Sequence, residues 1–124
     1  FVLPFRPKFS AKLYRRIWDG EKFPLVENTR LFSEKVASYL SNQDEVEVEH
    51  CYILSSPRVS ELWDRWDKEK EEFELFLVPL FPQYSESTSA SVFDTFSHEA
   101  LNRANIPTLQ FLQNFHRSKA FIDN

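Results

Sequence analysis

Apolar positions Leu13, Ile17 and Trp18 recur at helical spacing behind Ser10, a residue suited to capping, and the chain's single glycine, Gly20, follows. The pattern predicts a short helix over residues 10–19 that stops at Gly20. Leu31, Phe32, Val36 and Leu40 fall on one stripe, predicting a second helix from Asn28 or Thr29 to the polar run Ser41-Asn42-Gln43-Asp44. The period then changes to two. Val46, Val48, His50 and Tyr52 alternate with Glu47, Glu49 and Cys51 and lead into Ile53 and Leu54, the pattern of a strand near 46–54. Ser55-Ser56-Pro57 breaks it. Residues 59–72 carry Leu62, Trp63 and Trp66 on a charged background, an amphipathic helix lying on a sheet, and Asp64, Asp67, Glu69, Glu71 and Glu72 read as its solvated face rather than a metal site. From Phe73 to Phe81 the chain is almost unbroken apolar, predicting a strand near 74–81 covered on both faces. Val92, Phe93, Phe96 and Leu101 mark a further helix ending before Ile106-Pro107. A third strand is expected near 108–112, with the start of a helix in the tail.

Alternation of helix and strand predicts an α/β fold: one doubly wound parallel sheet flanked by helices, a single domain over residues 1–124. Such sheets place binding residues at the carboxyl ends of their strands, where adjacent connections diverge. Two loops qualify, Ser55-Ser56-Pro57-Arg58 and Phe81 to Ser91.

Composition narrows the function. With 124 residues, 42% hydrophobic and 16% aromatic, the chain can bury one modest core. Nineteen Asp and Glu against 15 Lys and Arg, a net charge of −4, argue against a broad footprint for nucleic acid. Cys51 is the only cysteine, so the chain builds neither an internal disulfide nor a thiolate metal cage, and a reducing compartment fits. No apolar stretch approaches the roughly 18 to 20 residues of a membrane-spanning helix, and no charged-then-apolar leader is visible. The sequence has no methionine and opens on Phe1-Val2-Leu3-Pro4-Phe5, which reads as a piece of a longer chain, incomplete at both ends. A sheet that began at residue 46 would expose an edge, so the piece is expected to be marginally stable or to pair with something.

The richest chemistry lies in Phe81 to Ser91, where five hydroxyls (Tyr84, Ser85, Ser87, Thr88, Ser89) leave a buried strand and enter a helix start. Exposed amides and the positive end of a helix dipole collect there, a setting for carboxylates or phosphates. Physics alone favours an ordinary Ser/Thr-rich cap over a site.

The order of residues adds to this. Val78-Pro79-Leu80-Phe81-Pro82-Gln83-Tyr84-Ser85, followed by Ser87-Thr88, resembles the Pro-Gln-Tyr-Ser-Cys-Ser-Thr segment of protoporphyrin-type ferrochelatases. Phe5-Arg6-Pro7, Leu13-Tyr14-Arg15-Arg16-Ile17-Trp18 and Pro24-Leu25 are similar to the porphyrin-contacting region of the same family. The resemblance is collinear over the chain, strongest at residues 2–25 and 77–94. It implies a class II chelatase, flavodoxin-like half-fold and part of the amino-terminal half of an enzyme that inserts Fe2+ into protoporphyrin IX to make haem. It further implies porphyrin contacts at Arg6, Tyr14, Gln83, Tyr84, Ser85 and Thr88. Arg6 would pair with a propionate, matched in charge and geometry, while Gln83 and Tyr84 line the deeper pocket. No organic cofactor is implied and iron enters as substrate. Partners are porphyrin and the remainder of the chain, without nucleic acid; the setting is cytoplasmic, and peripheral membrane contact, as in some relatives, is left open.

The chain also departs from the family. Glu21-Lys22-Phe23 replaces a Gly-Gly-Ser whose hydroxyl would contact porphyrin, and Glu86 stands where some members have a cysteine that ligates an iron-sulfur cluster. Glu86 offers a hard oxygen, so no cluster ligand is expected there. The family's metal-handling histidine and glutamate are expected downstream, which leaves no catalytic or metal residue within 1–124. Of the chain's own histidines, His50 is expected to be packed or hydrogen-bonded, and His98 and His116 to face solvent. Two further readings remain: a chelatase-like binding or interaction module without catalysis, and a small homodimeric chelatase, weakened by the lack of a Gly-His-Gly-type segment.

Overall fold

A computed structural model describes residues 6–18, 20, 23–43, 45–69 and 72–123, with side chains from Ser10 onward. Residues 1–5, Glu21, Lys22 and the side chain of Arg6 lie outside the described set. The chain divides into two compact units, residues 1–50 and 51–124.

The first unit is helical. Helix α1 spans Arg6–Ile17 and α2 spans Pro24–Leu40. The α1 helix starts before the expected Ser10, and Gly20 beyond its end adopts φ 100°, a backbone setting that favours glycine. The α2 helix begins four residues ahead of the expected Asn28, because Pro24 occupies the first turn, where its fixed φ suits the helix and its missing N–H costs nothing. Phe23, extended at φ −82° and ψ 121°, supplies the carbonyl that accepts from Val26 and Glu27. Arg30 bonds Glu27 at 2.7 Å and also pairs with Glu34, which holds its guanidinium further above its ordinary range.

The second unit holds the core. Helix α3 spans Val59–Glu69, strand β1 Glu74–Leu77, helix α4 Ser91–Leu101, strand β2 Thr108–Phe111 and the short helix α5 Lys119–Ile122. The strands pair in parallel with Glu74 opposite Thr108 and Leu77 opposite Phe111, so β1, α4 and β2 form a β-α-β crossover. Val59, Leu62, Trp63 and Trp66 of α3, Phe96 and Ala100 of α4 and Leu77 of β1 form one buried cluster, against which Cys51, Phe73, Leu75, Leu109 and Phe111 pack. Trp63 and Trp66 meet edge to face at 5.5 Å.

Three strand expectations are corrected. The strand near 46–54 is present only as an isolated parallel bridge between Tyr52 and Arg58. Alternation fixes which face of such a segment is apolar but not which neighbour completes a ladder. The strand near 74–81 ends at Leu77, with Val78 and Pro79 beyond regular pairing; the one near 108–112 ends at Phe111, although the Leu112 N–H still donates to the Leu77 carbonyl at 3.0 Å. Nor is β1 covered on both faces: Leu77 is buried while Phe76 is 61% exposed. Apolar residues on both faces specify burial on both, but α3 and α4 cover only the one that carries Leu75 and Leu77.

Candidate functional site

In the second unit, the crossover brings the connections after β1 and β2 together. The Pro82 carbonyl accepts from the backbone N–H of Phe115 at 3.0 Å and of His116 at 2.9 Å, tying the first loop to the second beyond the carboxyl ends of both strands. Gln83 and Tyr84 project from this tie into solvent, Tyr84 being 47% exposed.

Between Tyr84 and α4 the chain makes a single π-helical turn, Glu86–Ala90, closed by the Ala90 N–H donating to the Ser85 carbonyl at 3.2 Å. The hydroxyls are committed inside this turn. Thr88 Oγ1 donates to the Ser85 carbonyl at 3.4 Å and lies 2.6 Å from Ser85 Oγ, which in turn lies 3.3 Å from Ser87 Oγ. Each hydroxyl has one proton. The two hydroxyl–hydroxyl contacts have no fixed direction, and Ser85, Ser87 and Thr88 form one local network within the turn. Ser89 is fully buried, and its Oγ has no hydrogen-bond partner among the described residues.

Arg6 and Tyr14 belong to the first unit. Arg6 opens α1, and Tyr14 is 55% exposed on it. Phe23 packs its ring edge to face on Tyr14 at 5.7 Å and tilted on Trp18 at 5.7 Å. The six expected contact residues thus divide, Arg6 and Tyr14 in one unit, Gln83, Tyr84, Ser85 and Thr88 in the other.

The histidines separate as well. Ser33 Oγ donates to the Arg30 carbonyl at 2.8 Å and lies 3.1 Å from His50 Nδ1, in keeping with the expected hydrogen-bonded histidine. His98 is exposed on α4. His116 differs from expectation: the residue is half-buried and its Nδ1 is shielded without a partner among the described residues. No sequence signal marked it, because its setting comes from the Pro82 carbonyl, 34 positions earlier in the chain.

The acidic face of α3 is likewise not simply solvated. Arg103 Nη1 donates to Asp64 at 2.7 Å and Asp67 at 2.9 Å, and its Nη2 to Glu99 at 3.1 Å, clasping α3 to the end of α4. These partners, Asp64 first, hold the guanidinium further above its ordinary range. Among the described residues no group of three or more His, Cys, Asp or Glu is placed to hold a metal ion, and no helix is long and apolar enough to cross a membrane.

Comparison with known proteins bears on the whole chain. It is 36% identical over 123 residues to a ferrochelatase of Herminiimonas arsenicoxydans, covering 98% of this chain and 33% of that protein. It is 34% identical over 124 residues to a coproporphyrin III ferrochelatase of Streptococcus mutans, covering 98% and 38%, and 31% identical over 121 residues to a ferrochelatase of Azoarcus, covering 98% and 33%. The chain therefore spans about a third of the length of these curated relatives. No solved structure matches it. The ferrochelatase family model matches residues 1–124, end to end, and the chain belongs to that family.

Proposed function

We propose that residues 1–124 are the amino-proximal part of a ferrochelatase and supply porphyrin-cleft wall to an enzyme that inserts Fe2+ into protoporphyrin IX. The observation that carries this reading is the Pro82–Thr88 run, which leaves the carboxyl end of a parallel strand and enters a helix, the location where α/β sheets bind ligands. The β1-α4-β2 crossover supports a doubly wound, chelatase-like sheet as its setting. In the reaction Fe2+ replaces the two pyrrole N–H protons, so porphyrin and ferrous ion give haem and two protons. Iron is substrate, no organic cofactor takes part, and Glu86 ligates no cluster.

The roles follow from chemistry. A porphyrin is a flat apolar disc with carboxylates on its edge, suited to aromatic walls and few cations. Tyr14, Gln83 and Tyr84 serve as wall. Ser85 and Thr88, whose hydroxyls lie 2.6 Å apart, stiffen the turn that follows Tyr84. A propionate falls to the always-charged Arg6. Proton removal and metal capture belong to residues outside 1–124, and the setting is cytoplasmic.

An anaerobic insertion assay, run on residues 1–124 and on the gene's full reading frame with protoporphyrin IX and with coproporphyrin III, tests the reading. Turnover only in the full frame, faster with protoporphyrin IX, is expected. Turnover by residues 1–124 alone sinks the half-cleft assignment, and faster turnover with coproporphyrin III sinks the substrate. In the full frame, Tyr84→Ala and Arg6→Ala should each weaken porphyrin binding by about tenfold, the scale of one aromatic or charged contact. A full frame that binds porphyrin without turning over points instead to the non-catalytic module, in which Phe23 packed edge to face on Tyr14 would be the modified contact.

A further inference from the structure

Phe23 joins the end of α1 to the start of α2. It is half-buried and extended, and its carbonyl accepts from Val26 at 3.0 Å and from Glu27 at 3.2 Å. The proline that follows confines it to extended backbone, so the direction in which its side chain leaves α2 is fixed by the chain itself. The ring meets two others: Tyr14 at 5.7 Å with the planes 66° apart, and Trp18, one residue beyond α1, at 5.7 Å and 45°. Both partners remain half open to water, 55% and 50% exposed. Tyr14 also borders a surface groove of about 460 Å³, lined in addition by Ser10, Leu13, Arg16 and Ile17. That volume lies within the range of small-molecule sites, roughly 300 to 1,000 Å³. One side chain thus touches both Phe23 and open space of ligand size.

We propose that Phe23 is a positioning residue for porphyrin binding, which holds Tyr14 and Trp18 as one preset aromatic wall and acts on the substrate only through those two rings. An aromatic side chain on a helix takes χ1 near 180° or −60°, and an exposed ring exchanges between the two. The wells point the ring in different directions, so contact with Phe23 is made from one of them and weights Tyr14 toward that orientation before substrate arrives. The edge-to-face arrangement strengthens the choice, because the positive edge of one ring meets the negative face of the other. A binding-competent orientation that is only partly populated weakens apparent affinity in proportion to its population. A wall already braced also avoids ordering its side chains on binding. Trp18 thereby joins Tyr14 as surface for a flat apolar disc. The inference rests on the reading of Tyr14 as porphyrin-cleft wall and adds what fixes it there.

Porphyrin titration and steady-state insertion assays on the gene's full reading frame test it. Phe23→Ala is expected to raise the Kd and KM for protoporphyrin IX about tenfold while kcat and the KM for ferrous ion hold, the pattern of binding lost equally from ground and transition states. Phe23→Tyr, which keeps the ring, should stay within about twofold. In a Tyr14→Ala/Trp18→Ala background, Phe23→Ala should add less than about twofold, because its effect passes through rings already removed. A full further loss in that background overturns the proposal, as does unchanged porphyrin affinity in Phe23→Ala. So does a fall in kcat and iron affinity alongside porphyrin affinity, which is what a merely structural role gives. Should Phe23→Ala fail to fold by circular dichroism, Phe23→Leu, close in volume but without a ring, is compared with Phe23→Tyr under the same outcomes. Porphyrin affinity untouched by Tyr14→Ala would sink the wall reading itself. A Tyr14→Ala that weakens binding beside a Phe23→Ala that does not would sink this inference alone.

Discussion

Single residues show where the packing is tight and where it is imperfect. Trp63 is the largest fully buried side chain and contacts both Trp66 and Phe73. Trp63→Ala should cost about 3 to 5 kcal/mol in urea unfolding, the transfer term plus the cavity. Ser89 is the opposite case. Its hydroxyl is wholly shielded and has no partner among the described residues, so Ser89→Ala should be neutral or stabilise by up to about 1 kcal/mol in the same measurement. A loss above that scale would show that the hydroxyl has a hydrogen bond after all. Of the two, Trp63 was legible in the sequence, standing on the apolar stripe of a recognisable helix. Ser89 looked like any other hydroxyl of the run, because the side to which a π-helical turn rotates a residue is set by its closure on Ser85, not by local polarity.

Among elements, α3 and α4 illustrate how a charged face acquires a partner. Spacing alone predicted α3 and its acidic side but not that Arg103, 36 and 39 positions from Asp67 and Asp64, would close over it. Arg103→Gln should lower stability by about 1 kcal/mol, since the carboxylates are partly exposed and each pair is worth little singly. The loss should shrink in about 1 M salt, where the screening length is near 3 Å. An unchanged loss at high salt would indicate packing of the arginine stem instead. The same clasp orders the end of α4 just before β2. Helix α3 is anchored at its other end as well, where Glu61 accepts from the Arg58 N–H at 3.2 Å and Ser56 Oγ at 2.8 Å.

At the scale of the molecule, the buried apolar cluster lies wholly in residues 51–124, whereas the buried residue described in 1–50 is Ser33. Amides of α1 and α2 should therefore exchange hydrogen well before those of α3, α4 and the β1–β2 pair. Native-state exchange read by mass spectrometry checks this, and uniform protection across residues 6–123 would refute it. Helix positions, the parallel relation of residues 74–77 and 108–111, and the Pro82–Thr88 run at a strand's carboxyl end could all be read from the order of residues, because period, capping and turn chemistry are local. The tertiary structure alone decided which strands found neighbours, that Ser89 would be shielded, and that His116 and Arg103 would meet Pro82 and the α3 carboxylates. Those outcomes depend on contacts between positions far apart in the chain, and a one-dimensional pattern specifies the surface each segment must bury or pair without naming the segment that will do it.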